Sequence, residues 1–370
     1  MDLSYWELKN WFANVDYTIV GSGIVGLHAA LRLREKYPKS KILILEKGAL
    51  PQGASTKNAG FACFGSVSEI LDDLNRHSES EVFDLVQKRW NGLQLLRKNL
   101  SDAVIDFKQY GGYELFLEDQ KEVFENCLSR MEAVNKLLFP IFEKNVFFEK
   151  NEKFGFKNIS KTMIFNPFEG QLDTGNMMQA LLKKAVSKNI LILNRQNVLH
   201  FEQKNQSVQV QLEGFQFETK KILFATNGFA SKLTNNAVQP GRAQCLITSS
   251  INNLKIKGTF HLDKGYFYFR NIGNQILIGG GRNLNFETEK TTTFGQTPLV
   301  QNHLELLLKN VILPETDFTI AHRWSGIMGL GESKNPIVKQ LSEDVYCGVR
   351  LGGMGVAIGS LVGKELADLV

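Results

Sequence analysis

Residues 17–26 read Tyr17-Thr18-Ile19-Val20-Gly21-Ser22-Gly23-Ile24-Val25-Gly26, and no other stretch constrains the fold of this chain as much. A short apolar run of strand type feeds three glycines at dinucleotide-binding spacing. A helical segment, Leu27 to Leu33, comes next, and a second apolar run, Ile42 to Leu45, ends on Glu46, twenty residues after Gly26. Each part has a physical reason. Gly21 permits the tight strand-to-helix turn, Gly23 lets the backbone approach a pyrophosphate, and Gly26 lets helix and strand pack closely. Ile24 and Val25 open the helix, whose free N–H groups face the phosphates. Glu46 can accept hydrogen bonds from ribose hydroxyls, and its charge repels a 2′-phosphate. Glycine turns alone are common. Strand, glycines, helix, strand and acid in register predict a dinucleotide-binding unit.

The chain has 370 residues, enough for two domains. Its net charge of +5 and pI near 8.8 are mild. Its lysines and arginines are scattered, so no nucleic-acid partner is expected, while an anionic substrate is compatible with the balance. Cys63, Cys127, Cys245 and Cys347 are far apart, without a CxxC or a Cys/His cluster in the sequence. That spacing argues against a zinc site and a redox dithiol, and no metal is expected. Met1 to Val15 carries acids and polar residues where a signal peptide has an apolar core, and no apolar run is long enough to span a bilayer. A cytoplasmic location is the expectation.

Ser4 and Glu7 have capping-box spacing for a short helix holding Trp6, Trp11 and Phe12, aromatics expected to pack on the protein's own body. Residues 67–100 and 118–139 read as helices, the second through Val123, Cys127, Met131, Val134 and Leu138. Asp173 or Thr174 can cap a helix through Met177 and Leu181. Val208 to Leu212, Ile222 to Ala225 and several runs within 242–284 read as strands; Pro298 to Leu308 reads as a helix, and a last helix follows Gly352-Gly353-Met354-Gly355. With no repeat and no low-complexity linker, the domains are expected to interleave.

Four motifs then occur in one order: Gly53 to Phe61, Ala225 to Gly228, Trp324 to Ile327 and Gly352 to Gly355. With the N-terminal unit they resemble the D-amino-acid oxidase family of FAD-dependent oxidoreductases, whose members include glycine oxidase, sarcosine oxidase and D-amino-acid dehydrogenase. The likeness runs over nearly the whole chain. It implies an α/β fold: a Rossmann-like FAD-binding domain (1–80, 150–236 and 323–370) interleaved with an α+β substrate domain (81–149 and 237–322) on a mainly antiparallel sheet. It implies FAD, bound non-covalently because no cysteine lies near Trp324. Gly21, Gly23 and Gly26 are matched to the pyrophosphate, and Glu46 with Lys47 to the adenosine ribose. Ser55, Thr56, Asn58, Ala59 and Gly60 are matched to the pyrophosphate and the isoalloxazine, and Val198 to adenine. Thr226, Asn227 and Gly228 form a second FAD loop. Gly352, Gly353, Met354, Gly355 and Val356 are matched to flavin N1 and C2=O, where backbone dipoles favour the negative charge of reduced flavin.

The resemblance implies oxidation of a C–N bond of an amine or amino acid, with hydride leaving to flavin N5 and O2, a quinone or another carrier as electron acceptor. Hydroxy-acid oxidation and a tRNA-modification-linked amine oxidation are the alternative activities. No obligatory acid or base is expected. The carboxylate clamps of two relatives are missing: the arginine of the glycine oxidase pattern is Met328 here, and the lysine of the sarcosine oxidase pattern is Ala357. A lysine that promotes oxygen reduction in sarcosine oxidase is Leu277. The replacement clamp is expected at Arg282, with Arg270 second and Tyr266 and Tyr268 beside it; Arg323 and Arg350 are weaker candidates.

Overall fold

The computed structural model describes residues 2–235 and 237–370. Its first sheet is built on the glycine unit. Val15–Val20 lies between Ile42–Glu46 and Phe215–Phe224, parallel to both. Leu191–Asn194 continues the parallel order on one side and Val345–Val349 on the other. Antiparallel strands His200–Lys204, Ser207–Leu212 and Ile337–Ser342 complete eight. Every residue of Ile42–Glu46 is buried, as a central parallel strand covered on both faces requires. The register matters for function. Val20 pairs with both Leu45 and Phe224, so Gly21, Glu46 and Ala225 leave the sheet side by side at its carboxyl edge, where ligands bind in open α/β sheets.

The second sheet also has eight strands: Ile320–Leu330, Gln239–Thr248, Gln275–Gly280, Phe267–Ile272, Thr259–Leu262, Gly112–Glu114, Thr162–Asn166 and Phe148–Asn151. All its neighbours run antiparallel except Thr259–Leu262 with Gly112–Glu114. This is the α/β architecture with a mainly antiparallel second sheet that the sequence implies. The division at residue level differs. Thr162–Asn166 and Ile320–Leu330 hydrogen-bond into the second sheet, not the first. Glu79–Leu100, expected mostly with the substrate part, places Leu85, Leu96 and Leu100 in the core that holds Ile24 and Val356. Apolar alternation marks a strand but carries no record of which sheet it joins.

The last helix, Gly355–Asp368, lies against both Ile24–Lys36 and Glu79–Leu100. Two glycines permit this. A Cβ on Gly363 would come within 2.5 Å of the Val25 carbonyl oxygen, and one on Gly92 would strike that of Ala357. The close approach delivers the helix start, after Gly352 and Gly353, to the carboxyl edge of the first sheet.

Residues 67–100 form two helices, Val67–Leu74 and Glu79–Leu100. Ser78 and Glu81 make a reciprocal capping box that starts the second. Asp173 caps Thr174–Ser187 by accepting the Asn176 N–H at 2.8 Å. The Ser4–Glu7 box forms as read, but Trp6 is 64% and Trp11 37% exposed. Of the aromatics read in this segment, Phe12 is the buried one, against Phe215 and Phe217. The segment is a short helical turn followed by a wide one, and only part of it meets the sheet.

Candidate functional site

A cavity of about 1130 Å³ runs from the carboxyl edge of the first sheet to the face of the second. Ordinary small-molecule clefts occupy about 300–1,000 Å³, so this one has room for an extended ligand.

At the first-sheet end the wall includes Gly21, Gly23, Ile24, Val25 and Glu46, with Lys47 beyond. Gly23 is the N-cap of Ile24–Lys36 and Met354 that of Gly355–Asp368, and neither N-cap residue supplies a side-chain acceptor of its own. Gly352 through Val356 also line the wall. Two helix N-termini thus open on one cavity with backbone donors available, a combination suited to phosphate and to a negatively charged ring. The Ile24 N–H donates to Ser55 Oγ at 3.0 Å, which ties the small-residue loop across the helix start. Glu46 is buried. Its Oε2 accepts from Ser22 N–H at 3.1 Å and from the Ser22 hydroxyl at 2.8 Å, and its Oε1 from Gly48 N–H at 3.0 Å. The carboxylate is therefore fixed on the wall before any ligand arrives. These residues fit an adenine dinucleotide: glycines without Cβ atoms at the turn, helix-start donors, and an acid at the ribose distance in sequence.

Ser55, Asn58, Ala59, Val198, Thr226 and Asn227 line the same cavity. Four residues expected at the cofactor do not. Gly26 packs against strand and turn, where a Cβ would run into the Gly21 carbonyl oxygen. Thr56 turns its hydroxyl to the Pro51 carbonyl at 2.7 Å. Gly60 lies against Leu172 and Arg270, and Gly228 against the Met328 carbonyl. Small residues in this loop and turn therefore serve close backbone packing as well as the wall. Asn227 has a function that sequence did not indicate: its Oδ1 accepts from the N–H groups of Arg350 and Leu351 at 3.1 and 3.2 Å. It fixes the approach to the glycine cluster.

The second-sheet end is organised by strand register. Trp324, Cys245, Gly279, Tyr268, His261 and Glu114 are successive partners across five strand pairs. Direct partners share a face. Tyr266, two residues from Tyr268, shares it too, and both tyrosines line the cavity. Burial raises the Tyr268 phenol well above its ordinary value, so it remains neutral; its hydroxyl lies 3.7 Å from Cys245 Sγ.

The arginines separate clearly. Arg282 lines the cavity, half-buried, with its guanidinium carbon 5.0 Å from the Tyr266 ring centre and 5.1 Å from that of Phe286. Among the described residues its guanidinium has no hydrogen bond and no ion pair. Burial lowers its pKa from the usual value, a direction that favours acquiring an anionic partner. Arg270 is a correction: it is off the wall, buried, and donates through Nη2 to the Leu172 carbonyl at 3.0 Å. Burial takes its pKa down to about 10. Arg270 shares the strand of Tyr268, but the Gly60 loop lies against its guanidinium. Arg323 is bound to Gln301 and Glu305, and Arg350 to the Asn335 carbonyl. Met328 and Ala357 line the cavity; Leu277 is buried away from it.

His261 was invisible in the sequence. It lines the cavity, and its Nε2 lies 2.8 Å from Oε2 of the buried Glu169, 92 positions earlier. Cys63 completes a group whose donor atoms lie within 4.8 Å of one another, a cluster that the linear cysteine spacing does not suggest. Burial, then Glu169, raises the Cys63 thiol, so it is neutral in this setting.

A family model described as FAD dependent oxidoreductase (DAO) matches residues 16–369. The chain is 21% identical over 395 aligned positions to the probable oxidoreductase OrdL of Haemophilus influenzae, covering 96% of this chain and 83% of OrdL. The crystal structure of L-proline dehydrogenase from P. horikoshii is similar at a TM-score of 0.72 and 19% identity, over 96% of this chain and 93% of that one. Glycine oxidase from Geobacillus kaustophilus is similar at 0.73 and 17%, over 96% and 94%. At these identities the structural likeness is one of fold.

Proposed function

The chain belongs to the DAO family of FAD-dependent oxidoreductases, and from that premise we propose that it binds FAD non-covalently and oxidises the C–N bond of an amine or amino acid that carries an anionic group. On this reading the nucleotide lies along the first-sheet wall, with Glu46 at the ribose and the two helix starts at the pyrophosphate and the flavin. Bound FAD supplies the hydride acceptor. The chain's own residues bind, orient and desolvate the substrate: Arg282 holds its anion, and Tyr266 and Tyr268 bound the site. The observation that carries the reading is Arg282, a half-buried guanidinium on the cavity wall that rests on two aromatic rings and has no hydrogen-bond or ion-pair partner among the described residues. A partly buried charge without a counter-ion is costly, and a bidentate carboxylate both offsets that cost and sets orientation.

The test is direct. Purified protein should show flavin absorbance, and acid precipitation should leave the yellow colour in the supernatant. Anaerobic bleaching with a panel of amines, amino acids and hydroxy acids reads the substrate class; an oxygen electrode reads the acceptor. Arg282→Met should keep its FAD and lose about 2–5 kcal/mol in substrate binding or flavin reduction. Reduction by the variant at the parent's rate at low substrate sinks the anion-binding role.

A further inference from the structure

We propose that the cavity holds a second acceptor-binding position, His261 fixed by Glu169, and that the substrate class is therefore an amine with two carboxylates. The proposal deepens the reading above and rests on it, since it takes the Arg282 end of the cavity as the first carboxylate position.

Glu169 is almost fully buried and is well supplied with donors. Thr259 Oγ1 donates to its Oε2 at 3.0 Å, and Asn166 Nδ2 to its Oε1 at 3.4 Å. A carboxylate that far from water is stable when a cation faces it, and the His261 ring at 2.8 Å is that partner. The contact uses Nε2. Nδ1 then remains on a residue of the cavity wall without a hydrogen bond among the described residues. The Phe61 ring meets the imidazole edge-on, with centres 5.4 Å apart, and limits its rotation. The result is an oriented N–H that the protein itself does not use. Glu69 on the same wall and the buried Glu114 act on His261 as well, so what the pair offers a ligand is a charge-assisted hydrogen bond of fixed direction rather than an added positive field.

Placement supports the pairing with Arg282. His261 is the direct register partner of Tyr268, and Arg282 stacks on Tyr266, two residues along the same strand. Strand spacing puts the backbone positions of His261 and Tyr266 about 8 Å apart. Side chains rising from positions that close can reach the two ends of one short amine dicarboxylate. Of the six Lys and Arg residues on the wall besides Arg282, Arg76 and Lys264 pair with Asp72 and Lys334 with Asp73, while Lys47, Lys57 and Lys232 have no ion pair among the described residues.

Oxidised holoenzyme can be titrated with acetate, malonate, succinate and glutarate, read by the change in flavin absorbance and by calorimetry. The dicarboxylate of fitting length should bind at least tenfold tighter than acetate. His261→Gln should erase that advantage while leaving acetate affinity within twofold, and Glu169→Gln should reduce it. Equal affinity of the parent for acetate and every dicarboxylate overturns the proposal, with no variant needed. An advantage that survives His261→Gln overturns it too. Acetate affinity unchanged in Arg282→Met defeats the Arg282 reading instead, so the two failures are told apart. FAD content and melting temperature of each variant identify any loss of folding.

Discussion

Glu46 shows how one side chain can serve fold and ligand together. Its two oxygens collect three close protein donors from Ser22 and Gly48, and it still forms part of the cavity wall. Glu46→Gln keeps the volume but removes the charge from each of those bonds. Hydrogen bonds to a charged acceptor contribute about 1.5–3 kcal/mol each. FAD affinity is therefore expected to fall at least tenfold, measured by fluorescence titration of apoprotein, together with a lower melting temperature of the apoprotein from the loosened Ser22 turn. A drop in affinity with an unchanged apoprotein would assign the carboxylate to the ligand alone. At this scale the sequence was legible where function and local geometry coincide. The three glycines and the acid were readable because turn, helix start and strand end lie within thirty residues. His261 and Glu169 were not, because a contact across 92 positions leaves no local pattern. Arg270 misled because a place on the Tyr268 strand does not tell what covers the side chain.

Helix spans were read better than strands and their sheets, and better than helix breaks. The capping box at Ser4 joins a polar residue to an acid three positions on, a signal contained in four residues, and was read; the same signal at Ser66 and Ser78, which start two helices within 67–100, was not. Sheet membership of Thr162–Asn166 and Ile320–Leu330 depends on partners far along the chain. The glycine-loop helix gives a sharp prediction. A Cβ at Gly26 meets the Gly21 carbonyl oxygen, a backbone atom that cannot rotate away. Gly26→Ala must push Ile24–Lys36 off the Val15–Val20 strand, with an overpacking cost of about 1–3 kcal/mol. Chemical denaturation should show that loss, and FAD affinity should fall with it because Gly23 and Ile24 move as one piece with the helix. Gly53→Ala is the control: a Cβ there meets nothing within 4 Å, and stability should change little.

Across the whole molecule, the chain crosses between its two sheets repeatedly, and Gly355–Asp368 packs both on the glycine-loop helix and on Glu79–Leu100. Neither sheet is a contiguous piece of chain, so thermal unfolding is expected as one transition that shifts upward with FAD. Saturation at 100 times Kd adds about 2.7 kcal/mol. Two transitions, with only one responding to FAD, would show that the sheets unfold independently.

Two buried histidines set opposite limits on that stability. His28 donates through Nδ1 to the Ile24 carbonyl at 2.9 Å, and its Nε2 is buried without a partner. Burial lowers its pKa to about 4. The unfolded chain binds a proton there near pH 6.5 and the native state does not. The contribution of neutral His28 is thus complete above 6.5 and is lost as pH falls toward 4. His261 has the reverse sign. Burial opposes its charge, but Glu169, with Glu69 and Glu114 behind it, outweighs burial and raises the pKa to about 9. Its contribution is complete below 6.5 and is lost as pH rises through 9. Each shift corresponds to about 3 kcal/mol at its limit. Denaturation measured from pH 5 to 9.5 should therefore show a maximum near 6.5 for these two terms. His28→Leu should flatten the acid limb between 5 and 6.5, and His261→Gln the alkaline limb. A parent whose stability is level from 6.5 to 9 would mean that Glu169 does not hold His261 as a cation. The N–H proposed for the second carboxylate would then lack its charge.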